Sequence, residues 1–403
     1  MDVYEPREDS SLLQEFVREH AFGRVLDVGT GSGIQALTAA ESVKVREVIA
    51  IDINETAIEE LKQKVKLIKK VKPRQSDLFS EVEGQFDMII FNPPYLPQDK
   101  VGNEIIEDPS LYGGKKGWEI SERFFNEVSK HLVPGGKILF LFSTLTNKEK
   151  IEEIIENNLL IFERLGSKKL AFEELFVYLV EKGKILRNLE VNYVGDIKYF
   201  THGKRGNIFT GMIDRNKFVK THLPSKKDLM KVAIKVKRKE STAVERMENE
   251  AKWLRVLNKK GIGPKFLFSG ENYVIYEFVE GEFILDWLKD KRKEQIEMVL
   301  MNILKQCFVM DELRVNKEEM HHPHKHIIVT NFGQVVFLDF ERCTRIDKPK
   351  NVTQVVEFLS RINKELWEKG FEFKVKELRK LAKEYKKDLS KESFEKIVRY
   401  MFE

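Results

Sequence analysis

Two cysteines in 403 residues, Cys307 and Cys343, make neither a disulfide framework nor a thiolate metal pattern, which fits a reducing, cytoplasmic setting. Long apolar runs are also missing. The strongest, such as Ile138 to Phe142, falls far short of the roughly 20 residues a spanning helix needs, so a transmembrane protein is excluded. The chain opens Met-Asp-Val-Tyr-Glu-Pro, with no basic segment leading into an apolar stretch, so no secretory signal is expected. Internal repeats and low-complexity linkers are absent too. Apolar residues make up 42 % and charged residues 33 %, enough for real cores, and a disordered chain is excluded. The length is too great for one ordinary domain and short for three, so two are expected.

The net charge of +5 hides an asymmetry. Residues 1–183 carry 24 Lys and Arg against 32 Asp and Glu, a net of −8. Residues 184–403 carry 46 against 33, a net of +13. An acidic module joined to a basic one implies two parts with different partners.

The first part alternates short apolar runs with helical stretches. Strands are predicted at Arg24–Val28, Glu47–Ile51, Phe86–Phe91, Lys137–Phe142 and Phe176–Glu181, and helices at Glu55–Lys69 and Glu119–His131. That alternation predicts a parallel sheet covered by helices on both faces. The run "KKLAFEELFVYLVEKG" reads as two strands joined by a short turn, suited to an antiparallel sheet edge. The boundary falls near Lys182–Leu186, giving domains 1–183 and 184–403.

"RVLDVGTGSG" is a strand running into Gly29, Gly31 and Gly33, where glycine allows a tight turn and close backbone approach to a ligand at a helix N-terminus. Asp52 ends the next strand, 23 residues after Gly29, placed to accept hydrogen bonds from two ribose hydroxyls. Asp27 either pairs with a cationic amine of a ligand or caps the loop. On these residues alone, NAD and S-adenosylmethionine both remain open. "FNPPY" decides between them. Asn92 follows the fourth strand, where open α/β sheets bind ligands. Its side-chain carbonyl and the carbonyl of Pro93 can accept two hydrogen bonds from a planar NH2 group. The two prolines hold those acceptors rigidly, and Tyr95 can stack on the flat substrate group. Such a grip orients a nitrogen toward a methyl donor.

The run Asp27–Gly33, with Asp52, Asp77 in "QSDLF" and Asn92–Tyr95, resembles class I S-adenosylmethionine-dependent amino-methyltransferases. "VYEPREDSSLL" at the start and "YGGKKGWEI" at Tyr112–Ile120 narrow the resemblance to the archaeal and eukaryotic branch of HemK-like release-factor glutamine methyltransferases. It covers about residues 1–183. It implies a Rossmann-like α/β fold with a mixed seven-stranded sheet. It also implies that Ser10, Asp27, Gly29, Gly31, Asp52, Asp77 and Asn92 contact the methyl donor, with Asp77 reaching the adenine. Asn92, Pro93 and Tyr95 would hold the glutamine of a Gly-Gly-Gln loop in a class 1 release factor. A small zinc-binding activator subunit is the partner the family implies. An alternative acceptor is adenine or guanine of RNA or DNA, since Asn-Pro-Pro-Tyr serves both chemistries. The acidic charge argues modestly against it.

The second part predicts strands at Tyr193–Phe200, Asn207–Ile213, Phe218–Val219, Lys231–Val236, Lys265–Ser269 and Tyr273–Val279, with a helix at Thr242–Asn258 stopped by Lys-Gly-Ile-Gly-Pro. Beyond Asp286 the pattern is mostly helical. An α+β bilobal domain follows, with a β-rich lobe at about 190–280 and a helical lobe at about 285–403. "KVAIKVKR" places Lys235 in a strand, as in the phosphate-holding lysine strand of protein kinases. Gly203, Gly206 and Gly211 form a glycine-containing hairpin that departs from the G-x-G-x-x-G pattern. Glu250 is the favoured partner of Lys235. "VVFLDFER" puts Asp339 before Phe340, as in the magnesium-binding Asp-Phe-Gly motif, with Glu341 in the place of Gly. The loop "EEMHHPHKHIIV" has no Asp where a catalytic base belongs; Glu319 is the substitute, and His326 stands where a metal-binding Asn is usual. His321, His322, His324 and His326 leave a zinc site as a lesser alternative. Together these residues resemble an atypical archaeal kinase family, similar to RIO kinases and to the kinase subunit of the KEOPS complex. That resemblance implies ATP and magnesium as ligands, with Asp339 on the metal. The altered loop leaves an active kinase, an ATPase and a nucleotide- or RNA-binding pseudokinase all open. Lysine-rich helices near the end would suit contact with RNA or the ribosome, or simply a solvated surface.

Overall fold

The structure, a computed structural model, describes residues 5–98, 111–203, 206–218, 228–238 and 245–402. They form two compact units, residues 1–192 and 193–403. The division lies nine residues beyond the 183/184 boundary read from the sequence, because one amphipathic helix, Lys184–Val191, stays with the first unit. It buries Leu186 and Leu189, and its Glu190 pairs at 2.7 Å with Lys182, whose side chain is only 3 % exposed.

The first unit runs α1 (Glu8–His20), β1 (Gly23–Val28), α2 (Ile34–Glu41), β2 (Val45–Asp52), α3 (Glu55–Lys64), β3 (Val71–Gln75), β4 (Phe86–Phe91), α4 (Glu119–Val128), β5 (Leu132–Ser143), α5 (Lys148–Asn157), β6 (Leu160–Lys169), β7 (Glu174–Lys182) and α6 (Lys184–Val191). The strands make one sheet in the order β3-β2-β1-β4-β5-β7-β6. The first five are parallel, and β7 runs antiparallel to both its neighbours. This is the expected mixed seven-stranded, Rossmann-like sheet. Its central strands read as continuous apolar runs because helices cover both faces and leave no side to water. The two strands whose full extent the sequence pattern does not reveal are at the edges. β3, "VKPRQ", buries only Val71 and carries Pro73, tolerated where a ladder hydrogen bond is dispensable. β6 is polar along most of its length and starts eight residues before the Lys168 run. Among the described residues, no helix is long and apolar enough to cross a membrane.

An aromatic ladder joins β4, β5 and β7 to α4. Phe124 meets Phe91 in a tilted contact at 4.5 Å and stacks on Phe79 at 5.4 Å, Phe125 meets Phe140 edge-on at 4.9 Å, and Phe142 meets Tyr178 at 4.8 Å. This layer holds β4 in register and so fixes the strand end that carries Asn92.

The second unit begins with β8 (Val194–His202), β9 (Gly206–Asp214), α7 (Arg215–Phe218), β10 (Leu229–Lys237), α8 (Glu245–Leu257), β11 (Phe266–Gly270) and β12 (Tyr273–Glu277). Its five strands form an antiparallel sheet in the order β11-β12-β10-β9-β8. The strand predicted at Phe218–Val219 is absent where described. Asp214 accepts the Asn216 N–H at 3.1 Å and turns the chain into α7 instead, an Asx turn that outweighs a two-residue apolar signal. Val219 lies outside the described residues.

The remainder is β13 (Glu282–Phe283), α9 (Ile284–Leu288), α10 (Lys293–Glu312), β14 (Val315–Asn316), β15 (Ile327–Val329), β16 (Val335–Phe337), β17 (Thr344–Arg345), α11 (Asn351–Arg361), α12 (Asn363–Glu368), α13 (Val375–Asp388) and α14 (Lys391–Phe402). Asp311, buried at the end of α10, ties three helices together. It accepts from Asn351 Nδ2 (2.7 Å), the Val352 N–H (3.2 Å) and the Tyr385 hydroxyl (3.0 Å). Burial still pushes its carboxyl up to about 6 against those bonds.

Replacing the fully buried Phe124 with alanine is expected to destabilise the first unit by about 3–5 kcal/mol, read as a lowered urea midpoint.

Candidate functional site

The strand order reverses between β1 and β4, so the loops leaving their carboxyl ends diverge and open a crevice. A cavity of about 530 Å³ lies there. It is lined by every residue the sequence singled out as donor-binding, Ser10, Asp27, Gly29, Gly31, Asp52, Asp77 and Asn92, and by Pro93 and Tyr95.

The glycine loop ends at Gly33, whose φ of +88° suits only glycine at the position preceding α2. Asp52 braces this loop: Oδ2 accepts the Gly31 N–H at 2.8 Å and Oδ1 the Asn54 N–H at 2.9 Å. Asp27 caps it from below, accepting from the Thr30 hydroxyl at 2.6 Å and the Ala36 N–H at 3.1 Å. The loop-capping reading of Asp27 is thus the one observed, and the residue also lines the cavity. Burial pushes its carboxyl up to about 7; the two hydrogen bonds only partly offset this, and the charge of Asp52 adds to it. Asp77 is half-exposed and pairs with Arg123 at 2.8 Å. Arg123 also lines the cavity and was not anticipated, since an arginine in an amphipathic helix gives no signal that it faces a ligand.

Asn92 is held more tightly. Its Nδ2 donates to Asp9 Oδ2 at 2.9 Å. Its Oδ1 is buried with no hydrogen-bond partner. Asp9 is 4 % exposed, and its other oxygen takes the Ser10 N–H at 2.6 Å. The side-chain amide is thus fixed by its NH2, with its carbonyl oxygen left unpaired in a residue that lines the cavity. A buried orphan acceptor is rare in folded proteins and points to a missing donor. Asp9 is 83 residues from Asn92 in sequence, and nothing in the local pattern marks it.

The "YGGKKG" segment presses on the same loop. A Cβ on Gly117, at φ +88°, would stand 2.6 Å from the Tyr95 carbonyl oxygen, and one on Gly113 would collide with the carbonyl oxygens of Pro94 and Gly117. Tyr112 bridges to Leu96 beside it. The two glycines let this segment clamp Asn92–Tyr95 from outside.

In the second unit, Lys235 is a buried cation amid carboxylates. Its Nζ lies 2.7 Å from Glu250, 2.9 Å from Asp339 Oδ1 and 3.3 Å from Glu341. Burial alone would lower its pKa, but these three charges hold it well above the ordinary lysine value. Burial would likewise raise Asp339, yet Lys235 and Lys317 hold it down to about 2. Asn249 of α8 bonds the carbonyls of Glu341 (2.9 Å) and Cys343 (3.0 Å), fastening α8 over this segment. Lys317, fully buried and not anticipated, donates to the Asp339 carbonyl and pairs with Glu319 at 3.2 Å. Glu319 is thereby engaged by a cation, with Arg342 at 4.0 Å on its other side. The four loop histidines do not converge: among the described residues the only ligand-type cluster is Glu250, Asp339 and Glu341. The hairpin between β8 and β9 closes with Gly203 N–H to the Gly206 carbonyl at 2.8 Å.

Comparison with known proteins bears on the first unit. The family "Methyltransferase small domain" matches residues 7–167. A protein of Methanocaldococcus jannaschii named putative protein N5-glutamine methyltransferase is 36 % identical over 181 residues, which are 44 % of this chain and 90 % of that protein. Methyltransferase HEMK2 of Mus musculus is 33 % identical over 167 residues, 38 % of this chain and 76 % of the relative. The chain belongs to the HemK-like glutamine methyltransferases. It spans only about half the length of the bacterial members, such as the release factor glutamine methyltransferase of Koribacter versatilis, 39 % identical over 33 % of this chain and 52 % of that one. A solved structure, the E. cuniculi Mtq2–Trm112 complex described as responsible for methylation of the eRF1 translation termination factor, is 26 % identical and covers 45 % of this chain and all of that one, at a TM-score of 0.37.

Because the folded chain holds the Asp27 proton more tightly than the unfolded chain, raising the pH from about 4 to about 7 should erode stability. Wild type is expected to lose as much as about 4 kcal/mol relative to Asp27→Asn across that window in urea melts. Gly117→Ala should displace the Asn92–Tyr95 loop and lower methyl transfer by roughly 10²-fold or more while the unit stays folded by circular dichroism.

Proposed function

We propose that the first unit methylates the side-chain amide of a glutamine, that of the Gly-Gly-Gln loop in a class 1 translation release factor, with S-adenosylmethionine as donor. The orphan acceptor Oδ1 of Asn92, locked by Asp9, carries this reading. A primary amide NH2 supplies two in-plane donors, one for Asn92 Oδ1 and one for the Pro93 carbonyl. Neither proline has an N–H to compete, so Pro93 and Pro94 add acceptors and no backbone donor. Tyr95 lines the same cavity and would cover the flat face of the amide.

The cavity also suits the donor. The glycine loop leaves room for close approach, and Asp27 and Asp52 face a ligand that carries positive charge. When bound, S-adenosylmethionine supplies an electrophilic methyl group. Asp27 would hold its ammonium, Asp52 the ribose hydroxyls and Asp77 the adenine, with Ser10 a further donor contact. The names of the curated relatives, which specify glutamine, support a protein acceptor over a nucleic acid, as does the −8 charge of residues 1–183. A small zinc-binding activator subunit is proposed as partner on the family resemblance.

For the second unit we propose a kinase-like module that binds ATP with a divalent cation. The Lys235–Glu250 pair, closed by Asp339, supports this. Glu319 and Asp339 are the candidate catalytic residues. Contact of the basic half with RNA or the ribosome stays a secondary proposal, resting on its +13 charge alone.

Mass spectrometry of a release factor incubated with labelled donor, with and without an activator subunit, should find methyl on the Gly-Gly-Gln glutamine. No label under either condition, together with label in RNA, would replace the acceptor. Asn92→Ala is expected to abolish transfer, at least about 10³-fold, with donor affinity changed by less than about tenfold. Donor affinity itself should rise about tenfold per pH unit below about 7, because a cationic ligand requires Asp27 ionised, and Asp27→Asn should flatten that dependence.

A further inference from the structure

We propose that His326 and Asp339 are the protein ligands of a divalent-cation site that selects manganese or another first-row transition ion over magnesium. The His326 Nδ1 lies 3.7 Å from Asp339 Oδ2. Two donors each about 2.1 Å from one ion, at octahedral or tetrahedral angles, stand about 3.0–3.5 Å apart, so the pair closes on an ion with a small side-chain shift. The other oxygen of Asp339, Oδ1, is taken by Lys235 at 2.9 Å, which leaves Oδ2 to face the imidazole.

Backbone hydrogen bonds set this approach. The His326 carbonyl accepts the N–H of Leu338, the residue before Asp339, at 2.8 Å, and the His326 N–H bonds the Pro323 carbonyl at 2.8 Å. Asp339 sits at φ +65°, a left-handed conformation that costs a non-glycine residue energy and persists only where its surroundings enforce it. Both side chains are about a quarter exposed, open enough for an ion to enter and for further ligands to complete its shell.

The acidic trio Glu250, Asp339 and Glu341 is a poorer site, because the Lys235 ammonium already stands among its oxygens. Donor chemistry supplies the selectivity. Magnesium takes oxygen ligands and dehydrates reluctantly, whereas imidazole nitrogen favours first-row transition ions. The inference rests on the nucleotide-binding reading only for the remaining positions, which phosphate oxygens would fill.

The test uses the full chain, stripped of metal, with manganese and magnesium as probes. Pulsed electron paramagnetic resonance of the manganese-loaded protein should show a nitrogen coupling that His326→Asn removes. Competition titrations should show manganese bound at least about tenfold more tightly than magnesium, with that advantage falling at least about tenfold in His326→Asn and magnesium affinity little changed. Asp339→Asn should lose both ions, and His324→Asn neither. Absence of nitrogen coupling, or an unchanged preference in a folded His326→Asn, would overturn the proposal. Titration of ADP with each metal separates the two ideas. ADP binding without a His326 effect removes the metal site alone, and His326-dependent manganese binding without ADP binding removes the nucleotide reading alone.

Discussion

A parallel sheet whose strand order reverses between β1 and β4 leaves a crevice that neither neighbouring crossover helix can cover. The first unit depends on this constraint. Each strand that ends at the crevice delivers one chemical element: β1 the glycine loop and Asp27, β2 Asp52, β4 Asn92 and the two prolines. The aromatic layer under β4 and β5 holds those ends at fixed height, and the Asp9–Asn92 bond then sets which way a single amide faces.

The two units treat buried charge in opposite ways. In the first, Asp27 is a buried acid with hydrogen bonds but no cation, so its proton affinity is high. On the proposed function, a cationic ligand would relieve that penalty and turn a cost of folding into binding selectivity. In the second, the buried cation Lys235 is saturated by three carboxylates, and a second buried lysine, Lys317, stabilises the Asp339 segment from the other side. Any phosphate that reaches Lys235 must compete with those carboxylates. Such a site is strongly coupled to whatever cation occupies the neighbourhood of Asp339.

Much of the first unit was legible in the sequence because its motifs are local. Gly29 to Gly33 and Asn92–Tyr95 follow buried strands and Asp52 ends one, and a buried strand in a covered sheet is a plain apolar run. The edge strands were harder, since Val71–Gln75 and the start of Leu160–Lys169 bury too little to leave a pattern. The strand expected at Phe218–Val219 fails at Phe218, which ends the short helix Arg215–Phe218, because an Asx hydrogen bond at its start, not hydrophobicity, decides the conformation. The Lys235–Glu250 pairing was readable from a strand followed by a helix at 15 residues' separation.

The sequence by itself determined the α/β alternation, the two-part charge division and the position of the glycine and Asn-Pro-Pro-Tyr loops at strand ends, because strand periodicity and short motifs are encoded within a few residues of one another. Tertiary structure alone decided that Asp9 orients Asn92, that Arg123 meets Asp77, that Lys317 is buried behind Asp339, and that His326 faces the carboxylate of Asp339. These partners lie from 13 to 83 residues apart on different elements. Their pairing follows from strand order and loop closure, which no local pattern of side chains records.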